Sequence, residues 1–436
     1  MSDFDFRTLL LVLIEVGIIL CYKWYTKYND FLGITSLTDY SSLQDINIMV
    51  FVGFGLMMAS SKRNSYNAIG YNMLAGAFAL QMAILWNPFF EQVIDGSDVE
   101  KINLNIDSIV RGLFTACSVV ISLTAVMGRL NYFQMMIMVI FEVVCYAVNE
   151  ALRIVVYKAT DTGGAIQIHI FGAYFGLTVA WVLNMSRDSD NRVVYRDSNV
   201  WTTKYGNLFA MIGTLFVWAY FPSLNSVFSP SGFKYRMVVN TFTALTASCL
   251  MAFVTTKFIK TKFTMMEIQH ATISGGIGIS SVAGLILYPH NAIALGGVIG
   301  IISVFCYKYI GPFMHNWFSL DDRFGVHNFA AIPGLISGLA GVLATGVVDS
   351  YMSDAQILEL FPARDNRSES KQALYQLASV ATSFGIAIVG GLIVGFIVSL
   401  FSRNDGKYSR DETEWLVSKT SNNRQGGENG TVVIVN

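Results

Sequence analysis

The sequence predicts an all-α polytopic membrane protein of about twelve transmembrane helices, arranged as two inverted-topology repeats around a central pore. Three observations predict it. Of 436 residues, 53% are hydrophobic and only 14% are charged, against about 25% charged in soluble domains. The charges stand apart from apolar segments of roughly twenty residues, long enough to cross a ~30 Å hydrocarbon core. A helix headed by an aspartate and lined with glycines occurs twice. Runs such as 46–60 and 372–401 are too long and continuous for the alternating strands of a β-barrel.

The first element is a retained span at 7–25, because the apolar run after Met-Ser-Asp-Phe-Asp-Phe-Arg lacks a small-residue cleavage site. Spans at 46–61, 66–87, 108–127, 131–153 and 161–185 make a first half-repeat over 46–185. Spans at 206–227, 237–259, 266–288, 290–310 and 327–346 make a second over 206–346, and a long last helix covers 374–402. Residues 1–402 thus read as one transmembrane domain. Residues 403–436, polar and with little to bury, read as a disordered cytoplasmic tail able to dock a cytoplasmic partner.

Orientation follows from the cations. Lys62/Arg63, Arg129, Arg187/Arg192/Arg196/Lys204, Lys257/Lys260/Lys262 and Arg403/Lys407/Arg410 fall in alternate loops. The intervening loop 88–107 carries Glu91, Asp95, Asp98 and Glu100. The basic loops and both termini therefore face the cytoplasm under the positive-inside rule, in a protein of the plasma membrane. Of the sequons at Asn184, Asn366 and Asn429, only Asn366 lies in an outer loop and is open to glycosylation.

Several classes are excluded. A net charge of −1 leaves no basic stripe for nucleic acid. The five cysteines all fall in apolar segments and predict no disulfide, and no Cys or His cluster has the spacing of a metal site. No nucleophile, base and orienter stand together, so no enzyme and no cofactor are expected. Glycine runs such as Gly275-Gly-Ile-Gly278 and Gly334-Leu-Ile-Ser-Gly338-Leu-Ala-Gly341 suit close helix packing better than phosphate binding.

Asp161 precedes His169 by eight residues, with Gly172 and Gly176 following; Asp322 precedes Ala330 by eight, with Gly334, Gly338 and Gly341 following. Paired helices of this kind place a pathway at the interface between 161–185 and 327–346. A histidine inside a span is costly and marks function by default. A neutral imidazole can donate with one nitrogen and accept with the other, so it suits a small hydrogen-bonding solute. The competing reading of His169 is interhelical glue. Asp161 and Asp322 read either as caps of helix N-termini or as recruiters of cations. Glu142, Asn149 and Glu150 in the span 131–153 need buried partners, and His270, His290 and His315 at span edges carry no special weight.

His169-Ile-Phe-Gly-Ala-Tyr-Phe-Gly-Leu, Leu208-Phe-Ala-Met-Ile-Gly-Thr-Leu-Phe-Val-Trp and Phe221-Pro-Ser-Leu-Asn-Ser226 closely resemble the Rhesus (Rh) glycoproteins of the ammonium transporter superfamily. The likeness runs through Ala147-Val-Asn-Glu150, Ile268-Gln-His-Ala-Thr-Ile-Ser-Gly-Gly276 and Gly325-Val-His-Asn328, over residues 7 to 402. The resemblance implies a homotrimer, or a hetero-oligomer with related subunits, in the lipid bilayer, with one hydrophobic pore per protomer. It implies ammonia or ammonium as the solute, with carbon dioxide also proposed for the family. Residue by residue, Phe114 matches the first gate phenylalanine, His169 the first pore histidine, and Asp161 and Asp322 the paired aspartates. Leu224 stands in place of the second gate phenylalanine and Ala330 in place of the second pore histidine. His327 fits a related bacterial form of the motif, but the downstream Ile-Pro-Gly-X-X-Ser-Gly register favours Ala330 at the pore.

Two functions of different class follow. One is a channel-like transporter with His169 as its only pore imidazole; the other is a weakly or non-transporting structural subunit. The retention of Asp161, Phe114 and His169 favours transport.

Overall fold

The computed structural model describes residues 6–28, 40–61, 64–185, 202–401, 411 and 415–416. Lys62/Arg63, the cations of 186–201 and nearly all of the 403–436 tail, with Asn429, lie outside the described residues. Twelve helices match the expected spans one for one. They are α1 (Phe6–Tyr25), α2 (Tyr40–Ser60), α3 (Ser65–Asp95), α4 (Ile106–Val126), α5 (Tyr132–Tyr157) and α6 (Ala165–Met185). The chain continues through α7 (Lys204–Ser226), α8 (Ser231–Ile259), α9 (Met265–Ile279), α10 (Pro289–Phe318), α11 (His327–Thr345) and α12 (Glu369–Leu400). One short parallel pair, β1 (Thr26–Tyr28) with β2 (Ile102–Leu104), joins the end of α1 to the loop before α4.

Among the described residues ten helices are long and apolar enough to cross a membrane, α1 and α9 being outside that set. The expected span 266–288 is shorter than its hydropathy suggests. α9 is a 15-residue helix, and the apolar run continues as turns, with Ser280, Val282 and Leu285 donating their backbone N–H to carbonyls three residues back. Apolar content sets where a segment is buried; the backbone hydrogen bonds set how much of it is helix. Five helices, α2–α6, fall in the expected first half and five, α7–α11, in the expected second.

Local chemistry fixes the helix starts. Asn105 and Ser108 form a reciprocal capping box for α4, with bonds of 2.8 and 3.0 Å, and Asn131 with Gln134 do the same for α5 at 2.9 and 3.1 Å. These caps satisfy N–H groups that have no partner within the helix. α6 lies directly on α4 because it offers glycine there: a Cβ at Gly172 would stand 2.6 Å from the Ser118 carbonyl oxygen, and one at Gly176 2.6 Å from that of Ser122. The two halves are also tied electrostatically. The buried Arg129 pairs with the buried Asp321 at 3.1 Å and donates to the Asp321 carbonyl as well.

Substituting Gly172→Val forces α6 off α4. Overpacking of this kind costs about 1–3 kcal/mol, so the purified variant is expected to melt at lower temperature, which differential scanning fluorimetry reads directly; an unchanged melting temperature would contradict the packing described.

Candidate functional site

The two aspartates occupy matching positions. Asp161 accepts the backbone N–H of Ile166 and Gln167 at 2.9 and 3.1 Å, and Ser281 Oγ donates to its other oxygen at 2.7 Å. Asp322 accepts from the backbone of Val326 and His327 at 2.9 and 2.7 Å. Each closes the N-terminus of a helix that begins inside the bundle, where water is scarce and orphan N–H groups are costly. Burial pushes the Asp322 carboxyl up to about 6 although both backbone N–H bonds favour the ionised form. This is the geometry of a cap.

The surrounding backbone repeats with them. Lys158 and Ser319, the two non-glycine residues with positive φ among the described residues, and Gly164 and Gly325, with φ of 72° and 66°, stand at the same offsets from the aspartates. All three pairs are 161 residues apart (319 − 158, 322 − 161, 325 − 164). Both aspartates lead into a π-helical turn, Ala165–Ile170 in α6 and His327–Ala331 in α11, a wide turn frequent at functional sites. In this register His169 corresponds to Ala330 (169 + 161), and His327 corresponds to Ile166.

α6 and α11 meet at this point. A Cβ on Gly334 would lie 3.2 Å from the His169 Cβ, so the glycine permits the approach. His169 is fully buried, and among the described residues neither ring nitrogen has a hydrogen-bond partner. Its ring stacks on Phe221 at 6.1 Å with planes 15° apart. Among the described residues no hydrogen bond ties the ring to a neighbouring helix. Ala330 is fully buried, whereas His327 is half-buried with its ring edge-on to Tyr174 at 6.2 Å.

Phe114 and Leu224 are both fully buried. The ring that meets Phe114 is Phe228, four residues beyond Leu224, in a T-shaped contact at 4.9 Å. Phe228 also lines a cavity of about 530 Å³ with Asn87, Glu91, Glu100, Asp107 and Arg111. The aromatic pair therefore stands below a polar cavity at the acidic-loop end, and the second ring comes from a position that the motif did not flag. His270, expected at a span edge, is buried in α9 with its ring 4.9 Å from Phe329, the residue before Ala330. Its place in Ile268-Gln-His-Ala, inside an apolar run, was the available signal.

The polar groups of the span 131–153 that the sequence singled out each have a contact. Ser122 meets Glu142, Asn149 donates to Ser383 Oγ at 3.1 Å, and Glu150 lies 3.9 Å from Arg111, which pairs with Glu91 at 2.6 Å. Asn366 is exposed at the end of the short turn Pro362–Asn366, whereas Asn184 is buried and donates to the Ser319 carbonyl at 2.7 Å. Among the described residues no group of His, Cys, Asp or Glu is arranged to hold a metal ion.

A family model described as Ammonium Transporter Family matches residues 6–415. Ammonium transporter Rh type C of Xenopus laevis is 34% identical over 411 residues, covering 88% of this chain and 85% of the relative. Ammonium transporter Rh type B of Xenopus tropicalis is 34% identical over 405 residues, covering 91% and 85%. The solved structure of Nitrosomonas europaea Rh50, from work on conduction by the Rhesus family of channels, superimposes with a TM-score of 0.73 at 26% identity, covering 88% of this chain and 93% of that one. Candida albicans Mep2, with a TM-score of 0.65 at 17% identity and 82% of each chain covered, shares the fold.

Replacing Asp161 with Ala removes the cap of α6 and strands the Ser281 hydroxyl. Loss of a cap with a buried donor left over costs about 2 kcal/mol or more; a melting temperature clearly below that of the unaltered protein is expected, and an unchanged one would show that Asp161 is not structural.

Proposed function

The chain belongs to the ammonium transporter family, in its Rh branch, and from that premise we propose that it is a channel-like transporter conducting ammonia across the plasma membrane. The observation that carries the reading is His169: a fully buried imidazole with both nitrogens free, at the point where the helices of the two halves touch. Such a ring offers a small neutral solute one donor and one acceptor without a fixed charge. A bare ammonium ion in the same surroundings lacks compensation for its hydration, so the neutral form is selected.

Phe114 and Phe228 form the aromatic entrance in this reading, and Leu224 contributes an apolar wall beside them. A cation dehydrating at the cavity meets ring faces before it meets the histidine, an arrangement that favours transient cation binding followed by entry of ammonia. Asp161 and Asp322 act as caps that hold the two wide turns in register, not as carriers of the solute. Ala330 leaves the far side of the path without a second imidazole, so His169 is the single pore histidine. We place both termini in the cytoplasm and three protomers in the assembly, with Asn366 the position open to glycosylation.

A second reading has its own support. Leu224 and Ala330 have lost the side chains that the family uses at those positions, and a structural subunit of a hetero-oligomer would tolerate both changes. Ammonia-driven internal pH change in proteoliposomes decides between the two. Conduction predicts a rate well above that of protein-free vesicles, and flux equal to empty vesicles sinks the transport reading. His169→Ala is expected to reduce the rate about tenfold, the worth of one hydrogen bond to the solute; an undiminished rate would leave conduction standing and remove His169 from its mechanism.

A further inference from the structure

Glu142 takes no part in the proposed path, yet its surroundings are unusual. It is fully buried in α5, among the described residues it forms no ion pair, and its Oε2 has no partner. Its other oxygen touches Ser122 Oγ. The Ser122 hydroxyl also lies 2.7 Å from the Gly172 carbonyl oxygen and 3.3 Å from that of Ser118. A hydroxyl has one hydrogen, and a carbonyl can only accept. With the Ser122 hydrogen directed to Gly172, the contact with Glu142 is a hydrogen bond only if the carboxyl supplies the proton. A neutral acid also avoids the cost of an unpaired buried charge.

Polar groups lead from this acid to the acidic-loop cavity. On α5, Glu142, Tyr146 and Glu150 are spaced four apart and share one face; on α4, Arg111, Ser118 and Ser122 share another. Contacts pin the two rows at both ends, Ser122 with Glu142 at the inner end and Arg111 with Glu150 at 3.9 Å at the outer end. Between them, the Ser118 hydroxyl, the Tyr146 hydroxyl and Glu150 Oε2 are buried without hydrogen-bond partners among the described residues. The Tyr146 ring is held edge-on to Phe171 at 5.7 Å. Arg111 lines the cavity itself. At a rise of 1.5 Å per residue, Glu142 lies about 12 Å deeper than Glu150.

We propose that Glu142 is a proton-binding site, a carboxylic acid in the interior of the bundle that exchanges its proton with the acidic-loop cavity along the facing polar rows of α4 and α5. Loading forms one O–H bond at Glu142, and unloading returns that proton to the row and leaves a carboxylate that accepts the Ser122 hydrogen in place of Gly172. The site is separate from the path at His169.

Infrared spectroscopy of the full chain in lipid tests this without any transport assay. A carboxylic-acid carbonyl band is expected in the unaltered protein, absent in Glu142→Gln and shifted in Ser122→Ala, which removes the acceptor. The band is expected to shift on transfer to D2O, and Tyr146→Phe, which deletes one hydroxyl from the row, is expected to slow that exchange about tenfold, the worth of one hydrogen bond. A spectrum in which neither Glu142→Gln nor Ser122→Ala alters a carboxylic-acid band overturns the site. Exchange at the same rate in Tyr146→Phe overturns the route.

Discussion

A helix that begins inside a membrane protein exposes backbone N–H groups where no water can reach them, and the pathway region depends on how those groups are satisfied. Here the solution is a carboxylate at each start, Asp161 for α6 and Asp322 for α11, each accepting two successive N–H groups. With its first turn held, each helix can open into a wide π-helical turn without unravelling. That turn is what carries His169 to the contact between halves. Removing the carboxylates would disturb the placement of His169 without touching its ring.

The electrostatics of the region are consistent with passage of an uncharged species. Charged groups concentrate at the ends: Glu91 with Arg111 at the cavity, Arg129 with Asp321 at the opposite side. In the path proposed above, rings and aliphatic groups lie between these ends, and His169 at its centre has no hydrogen-bond partner among the described residues. Phe221 supports that ring by stacking and not by hydrogen bonding, so the imidazole is oriented while both nitrogens stay available.

Much of this was legible in the sequence, for identifiable reasons. Span positions follow from hydropathy because lipid demands long apolar runs, and the aspartate-to-glycine repeat was visible because both halves solve the same backbone problem with the same residues. The choice of Ala330 over His327 as the counterpart of His169 rested on motif register, and the positive-φ positions at Lys158, Ser319, Gly164 and Gly325 carry the same 161-residue spacing in the backbone. What stayed hidden depends on long-range geometry. Nothing local to Phe228 indicates that its ring meets Phe114, since that contact spans two helices far apart in the chain. The early end of α9 was hidden too, because turns within a buried apolar run have the hydropathy of a helix. His270 looked like a span-edge residue because its cover, Phe329, belongs to the other end of the second half.

The ties between halves bear on how such a chain is assembled. Asp161 receives a hydrogen bond from Ser281, and Arg129 finds its carboxylate at Asp321, so each early segment waits for one more than a hundred residues downstream. During synthesis the first five helices of the repeat enter the membrane with a buried arginine and a buried carboxylate still incomplete. The first half is therefore not a finished unit that the second merely joins. Its buried Arg129 and Asp161 are completed only by Asp321 and Ser281, so the contact of α6 with α11 at His169 rests on residues of both halves.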